Sequence, residues 1–252
     1  MRGSLARRWE IDCLRGVAAV LMVISNFLFD LSFFAGLDLL QSDFLGWFAR
    51  GVAGAFIFLA GVSLTLSRAR QGTRTSDFVH STFLGGFGKS LRRGLKLMGL
   101  GLVVTGVTRL AVGEQMVLFG VLHLIGAGII LAYPFLGRPR LSLVIGVLLL
   151  AVAPLTSRVR LGHPWLLWLG LQPHDFSSVD YAPLIPWFGV MLIGVFLGHL
   201  FYPGGQPRWP GPDFSRLRLV RALAGCGRHT LLIYFGHQPI LMAGIVLSRK
   251  WW

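Results

Sequence analysis

Four polar residues share the first apolar stretch of this chain. Positions 12–34 read DCLRGVAAVLMVISNFLFDLSFF, with Asp12, Arg15, Asn26 and Asp30 set among aliphatic and aromatic side chains. At about 100° per residue the four fall within an arc of about 60°, which makes one polar stripe along a helix. Asn26 and Asp30 then lie about 21 and 27 Å from Asp12. Ionisable groups are costly in hydrocarbon, so the stripe must face protein or water, and each member is a functional candidate. The plainer reading of its parts is an ion pair between Asp12 and Arg15 and an interhelical hydrogen bond from Asn26.

Two histidines in later apolar segments extend the set. His123 is expected about ten ångströms inside the outer end of a fourth helix, at a depth close to that of Asn26. His237 falls eight residues into the last helix, near the midplane, and is followed by Gln238 and Pro239. The proline bends its helix and frees a backbone carbonyl. Histidine titrates near neutral pH and can act as a general base or proton relay; the structural alternative is a neutral ring bonded to a neighbouring helix. Arg109 and Glu114 flank a short outer turn and read as an interfacial ion pair or as contacts to substrate. Lys89, Arg92, Arg93 and Lys96 form a compact basic set, suited to anionic lipid or to the phosphates of a soluble cofactor. No pair of histidines has zinc-site spacing on one helix face, so no metal is expected. Cys13 and Cys226 make no disulfide framework, and GGFG at 85–88 matches neither a dinucleotide fingerprint nor a P-loop.

These residues need helices to position them, and the composition says where those helices lie. Hydrophobic residues make up 54% of the 252 and charged ones 13%, against about 25% charged in a soluble domain. The mean hydropathy of +0.67 excludes a soluble globule and a disordered chain alike. Seven segments approach the ~20 apolar residues needed to cross a bilayer: 12–34, 47–67, 91–112, 116–136, 141–156, 183–202 and 229–247. The fifth is short and ends at Pro154. The first is too long, and lacks the cleavage site, for a removable signal peptide.

The formal charge of +14 would suggest nucleic acid in a soluble protein. Here it reports orientation. With the N-terminus in the cytoplasm and the segments alternating, eighteen of the 24 Lys and Arg fall on the cytoplasmic side. Nucleic acid is therefore not expected as a partner. The fold expected is an all-α polytopic transmembrane bundle of about seven helices, a single membrane domain over 1–252. The longest outer piece, 157–182, carries Trp165, Trp168, Asp180 and Tyr181, and its aromatic rings suit the membrane interface.

In this order the segments resemble the multipass acyltransferases related to heparan-α-glucosaminide N-acetyltransferase. RWEIDCLRGVAAVLMVISNFLFD at 8–30 is similar to the family's opening helix: a basic residue, an acidic residue, Arg-Gly, then an apolar run interrupted by Asn or His. Arg8, Asp12, Arg15, Gly16 and Asn26 stand at those places. FIFLAGVSLTLS at 56–67, GVLHLIGAGIILAYPF at 120–135, SSVDYAPLIPWFGVMLIG at 177–194 and GRHTLLIYFGHQP at 227–239 are similar to later parts of the family, so the likeness covers most of the chain. His237 matches the family's last-helix histidine. One departure is plain: the lysosomal enzyme takes its base from a histidine in the first external loop, and residues 31–46 contain none. A second family, which acylates surface polysaccharides, has a similar opening but a histidine in the first helix, where this chain has Asn26.

The resemblance implies transfer of an acyl group, acetyl in the first instance, from cytoplasmic acyl-coenzyme A to a hydroxyl or amine of a sugar or lipid-linked glycan at the outer face. Asp12, Arg15, Lys89, Arg92 and Arg93 would hold the cofactor. Asn26, Asp30 and His123 or His237 would carry the chemistry, and Arg109, Glu114, Asp180, Tyr181 and Gln238 would meet the acceptor. The expected partners are membrane lipids, acyl-coenzyme A and a sugar or glycolipid acceptor, with a homodimer as an allowed assembly and a prokaryotic plasma membrane as the location. Two other classes use the same polar residues: a small proton-coupled transporter, and a catalytically inactive scaffold of the same family.

Overall fold

The computed structural model describes residues 8–35, 43–72, 79–156, 158–161, 163–174, 176–209 and 211–249. Of the basic residues used to orient the chain, Arg2, Arg7, Arg74 and Lys250 lie outside that set. The described residues form an all-α bundle of α1 (Trp9–Ala35), α2 (Asp43–Gly72), α3 (Val79–Val112), α4 (Val121–Leu131), α5 (Pro139–Thr156), α6 (Leu184–Phe201), α7 (Arg218–Arg228) and α8 (Thr230–Arg249). Extended structure is limited to a two-residue parallel pairing of Arg160–Leu161 with Gln172–Pro173. Trp9–Ser32, Asp43–Arg70, Gly86–Ala111, Pro139–Thr156 and Leu184–Phe201 are long and apolar enough to cross a membrane. α5 runs unbroken through Pro154.

The described residues divide into two compact units, one drawn from 8–59 with 211–249 and the other from 60–209. In the first, α1 packs against α7 and α8. No helix was expected between 202 and 229, where α7 lies. Its sequence RLVRALAGCGR instead puts Ala224 and Gly227 on the face toward α1 and leaves Arg218 and Arg221 exposed. Small residues let two backbones meet: a Cβ at Gly16 would fall on the Leu223 carbonyl, and one at Gly227 on the Asp12 carbonyl. His229 alone separates α7 from α8.

In the second unit α3 meets α4 where Gly94 and Gly126 face each other, and α5 meets α6 where Gly146 faces Gly189. Thr65 Oγ1 donates to the Val195 carbonyl at 3.1 Å, tying α2 to α6. Leu124, Ile129, Met191, Leu192 and Val195 are among the fully buried side chains of this unit's core. The outward sides of α3 and α5 are apolar, with Leu102, Val103, Val107 and Leu110 on one and Val144, Val147, Leu148 and Leu155 on the other. Such faces suit lipid.

The fourth segment corrects the sequence reading. A helix over 116–136 was expected; α4 covers only Val121–Leu131, 11 residues. Met116–Gly120 is instead non-helical and lies beside the last turns of α3. The Thr105 hydroxyl donates to the Val117 carbonyl, and Val117 N–H donates to Thr108 Oγ1 at 3.0 Å. On the other side Val179 N–H donates to the Gln115 carbonyl at 3.0 Å and Ala182 N–H to the Phe119 carbonyl at 2.9 Å. Threonine hydroxyls and the backbone of Val179 and Ala182 thus replace the helical bonds, as irregular backbone at membrane depth requires.

The third segment starts earlier than expected. A helix was expected from 91, with Lys89 before it, but α3 begins at Val79, so Lys89 is helical together with Arg92, Arg93 and Lys96.

Candidate active site

The first unit holds a chain of polar contacts along the α1 stripe. At its start Arg15 Nη1 pairs with Asp12 Oδ1 at 3.1 Å, and the Asp12 side chain is buried. Glu10 Oε2 is buried close by with no hydrogen-bond partner. Further along, α1 meets α8 through two side-chain bridges. Asn26 Nδ2 lies 2.8 Å from His237 Nε2, and Gln238 Nε2 donates to both carboxylate oxygens of Asp30 at 3.0 and 3.1 Å. The stripe therefore faces protein along its length, and the plainer reading of Asp12–Arg15 as an ion pair is met as well.

The backbone fixes the tautomer that a neutral His237 ring adopts. Its Nδ1 lies 3.0 Å from the Ile233 carbonyl. A carbonyl can only accept, so Nδ1 carries the hydrogen, Nε2 keeps its lone pair, and the Asn26 amide donates to it. In this tautomer the imidazole is held from behind, with Nε2 aimed at an amide. Should Nε2 gain a proton, it becomes a donor, and the Asn26 amide answers it by turning its oxygen inward. Pro239, two residues on, cannot donate to the carbonyl four residues before it, so one backbone acceptor of α8 is left for other partners. Asp30, one turn beyond Asn26, is buried and satisfied through Gln238; burying this carboxylate would otherwise be costly.

A separate polar group lies in the second unit. His123 is 4% exposed, and neither ring nitrogen has a hydrogen-bond partner among the described residues. Phe119 stacks on the ring at 5.7 Å between centroids. The ring also meets Gly101, where an added Cβ would come within 2.8 Å of ring atoms. His123 is the third residue of α4 and not deep within a helix that starts at 116. Its depth comes from Gly101 instead, which lies about 16 Å along α3 from that helix's end. Either neutral tautomer buries one donor and one acceptor, at about 1–3 kcal/mol for each left unmade. Gly101→Ala is expected to displace the ring and lower stability by about 1–3 kcal/mol; the thermal midpoint in detergent checks it, and an unchanged midpoint would show that the ring has room to yield.

The outer residues are mostly engaged in holding their own segments. Asp180 Oδ2 accepts from Val121 N–H at 3.2 Å and so caps α4. Tyr181 donates to the Leu167 carbonyl at 2.7 Å, and burial raises its phenol above the usual range. Ser178 Oγ donates to the Met116 carbonyl at 2.9 Å. Arg109 and Glu114 are both exposed, and the expected ion pair between them is not formed: Arg109 Nη1 reaches Met116 Sδ at 3.6 Å. The intervening turn Gly113–Gln115 pulls the two apart. Among the described residues no cluster of three His, Cys, Asp or Glu could hold a metal.

Asp180 gives a pH prediction. Burial raises its carboxyl above the ordinary range, more than the Val121 N–H lowers it. A raised folded value means a stability contribution that is present below about pH 3.9 and is lost as pH rises through the folded value. Asp180→Asn keeps an acceptor for Val121 without the charge. Its thermal midpoint is expected to change less than the native one between acid and neutral pH, whereas Asp180→Ala should lose the cap, about 1 kcal/mol. Parallel pH dependence in the native and Asn chains would refute this.

A family model described as heparan-alpha-glucosaminide N-acetyltransferase, catalytic, matches residues 7–239. The chain belongs to that family. No curated protein and no solved structure matches the chain. Its function is accordingly membrane acetyltransferase-like, and with five helices of spanning length it is an integral membrane protein. Acetyl-coenzyme A is the general acetyl donor of the heparan-alpha-glucosaminide N-acetyltransferase family. The matched range takes in the whole α1 stripe, His123 and the α8 pair of His237 and Gln238. Sequence reasoning singled out all of these side chains. It missed the carbonyl of Ile233 that fixes the His237 tautomer, the Gly101 surface under His123, and Gly227 against Asp12. The first of these could have been read from the spacing of four residues on one helix; the others depend on which helices meet.

Proposed function

We propose that this chain is an acyltransferase of a prokaryotic plasma membrane. It would move an acyl group, acetyl in the first instance, from acyl-coenzyme A on the cytoplasmic side to a hydroxyl or amine of a sugar or lipid-linked glycan on the outer side. The observation that carries the reading is the Asn26–His237 pair with its tautomer fixed by Ile233. A general base must offer a lone pair within hydrogen-bond reach of the proton it takes, and His237 Nε2 is such a group. As the acceptor oxygen or nitrogen attacks the thioester carbonyl, its proton passes to His237 Nε2. The Asn26 amide can hold either the imidazole or the developing oxyanion. The proton then moves to the departing thiolate, which leaves as coenzyme A.

His237 is assigned as the base ahead of His123, because nothing holds either ring nitrogen of His123 in a defined role. Asp30 and Gln238 serve by bracing α8 against α1 one turn from the reacting pair. Asp12 and Arg15 sit at the end of the stripe we place in the cytoplasm, where the partly exposed guanidinium suits a cofactor phosphate. Arg109 and Glu114, exposed at the turn we place outside, are the groups left to meet the acceptor; Asp180 and Tyr181 hold the loop behind them. The donor side is tested with purified protein and acetyl-coenzyme A: saturable binding and coenzyme A release on adding an acceptor are expected. No binding at millimolar concentration would end the proposal. Substrate flux into liposomes without coenzyme A would favour a transporter instead.

A further inference from the structure

The face of α3 that carries Lys89, Arg92, Arg93 and Lys96 is exposed at all four residues. Taking Lys89 as zero and about 100° per residue, Arg92 falls near −60°, Arg93 near +40° and Lys96 near −20°. The same face continues upward through Val103 near −40°, Val107 near 0° and Leu110 near −60°. These three are 56%, 60% and 91% exposed. Gly94 and Gly101, which meet Ile130 and His123 of α4, lie about 130° away on the packed side. One uninterrupted outward face is thus apolar along the second half of the helix and basic along two turns before it.

That arrangement has a length that fits a bilayer. From Lys96 to Val112, the end of α3, is about 24 Å, and from Lys89 about 34 Å. A hydrocarbon core about 30 Å thick therefore ends among the basic residues, whose long side chains reach the headgroups. None of the four makes a hydrogen bond or ion pair among the described residues, and α3 contains no Asp or Glu. Arg70 at the end of α2 adds a further positive charge within Coulombic reach of Arg93. We propose that Lys89, Arg92, Arg93 and Lys96 form a binding face for the phosphate headgroups of anionic phospholipids, and not the phosphate site of the acyl donor. The decisive feature is continuity: the cations stand on the side of α3 turned toward lipid, not on a side that closes over a soluble molecule. Each Lys or Arg near an anionic membrane surface adds to the attraction, so four together favour anionic over neutral lipid strongly.

The test uses the full chain in detergent, equilibrated with phosphatidylglycerol and phosphatidylcholine, with retained lipid counted by native mass spectrometry. The native chain is expected to prefer phosphatidylglycerol. The K89Q/R92Q/R93Q/K96Q variant should lose that preference about tenfold or more, and the charge-keeping K89R/R92K/R93K/K96R variant should retain it. The charge-keeping chain separates loss of binding from loss of fold. An unchanged preference in the glutamine variant, or displacement of the lipid by added acetyl-coenzyme A, would overturn the proposal; the second result would assign the four cations to the cofactor. The readout does not involve turnover, so its failure and failure of the acyltransferase reading are distinct results.

Discussion

Replacing His237 by glutamine is expected to lower acetyl transfer about 10²–10⁴-fold, the usual contribution of a positioned general base. Glutamine places a carbonyl oxygen near the position of the lost Nε2, so Asn26 keeps a group to donate to and α8 keeps its bridge to α1. What it cannot do is take a proton. The loss should therefore appear in kcat, with the KM for acetyl-coenzyme A little changed, since binding that is equal in ground and transition state is untouched. Coenzyme A release under single-turnover conditions measures it. A full rate in the glutamine chain would remove His237 as the base and pass the role to His123. His123→Gln supplies the other half of the comparison: it should leave the chemical step intact if His237 carries it.

Gly227→Ala is the substitution expected to harm the fold most. An added methyl there falls on the backbone carbonyl of Asp12, and backbone cannot turn aside as a side chain can. α7 must lift off α1, which loosens the buried Asp12 and its pairing with Arg15. The expected cost is about 3 kcal/mol or more, at the upper end for overpacking. Gly16→Ala strikes the Leu223 carbonyl in the same contact, so the two changes together should cost less than their sum. Gly225→Ala is the control: only the end of the Arg228 side chain lies near it, at 4.0 Å. Thermal midpoints of the detergent-solubilised chains give the comparison. Equal midpoints for Gly227→Ala and Gly225→Ala would mean that α1 and α7 do not touch as described.

Both predictions rest on residues of different legibility. Asn26 and His237 were visible because polar groups in apolar runs are rare and expensive, and because composition already required those runs to be membrane helices. Gly227 carried no such signal, since glycine in an amphipathic segment marks a turn as readily as a close contact. Arg109 and Glu114 looked like an ion pair from their spacing across a short turn, yet the turn's geometry sends Arg109 to a methionine sulfur.

By itself the sequence determined the helical class, the polar face of α1 and the histidines that could serve it, because periodicity and the cost of burying polar groups act along one helix at a time. The tertiary structure alone decided that Asn26 meets His237, that α4 starts at Val121 behind a non-helical segment, and that the basic turns of α3 share a face with its lipid-exposed half. Each of these depends on contacts between elements distant in sequence, or on where a helix begins, and the pattern of residue types leaves both open.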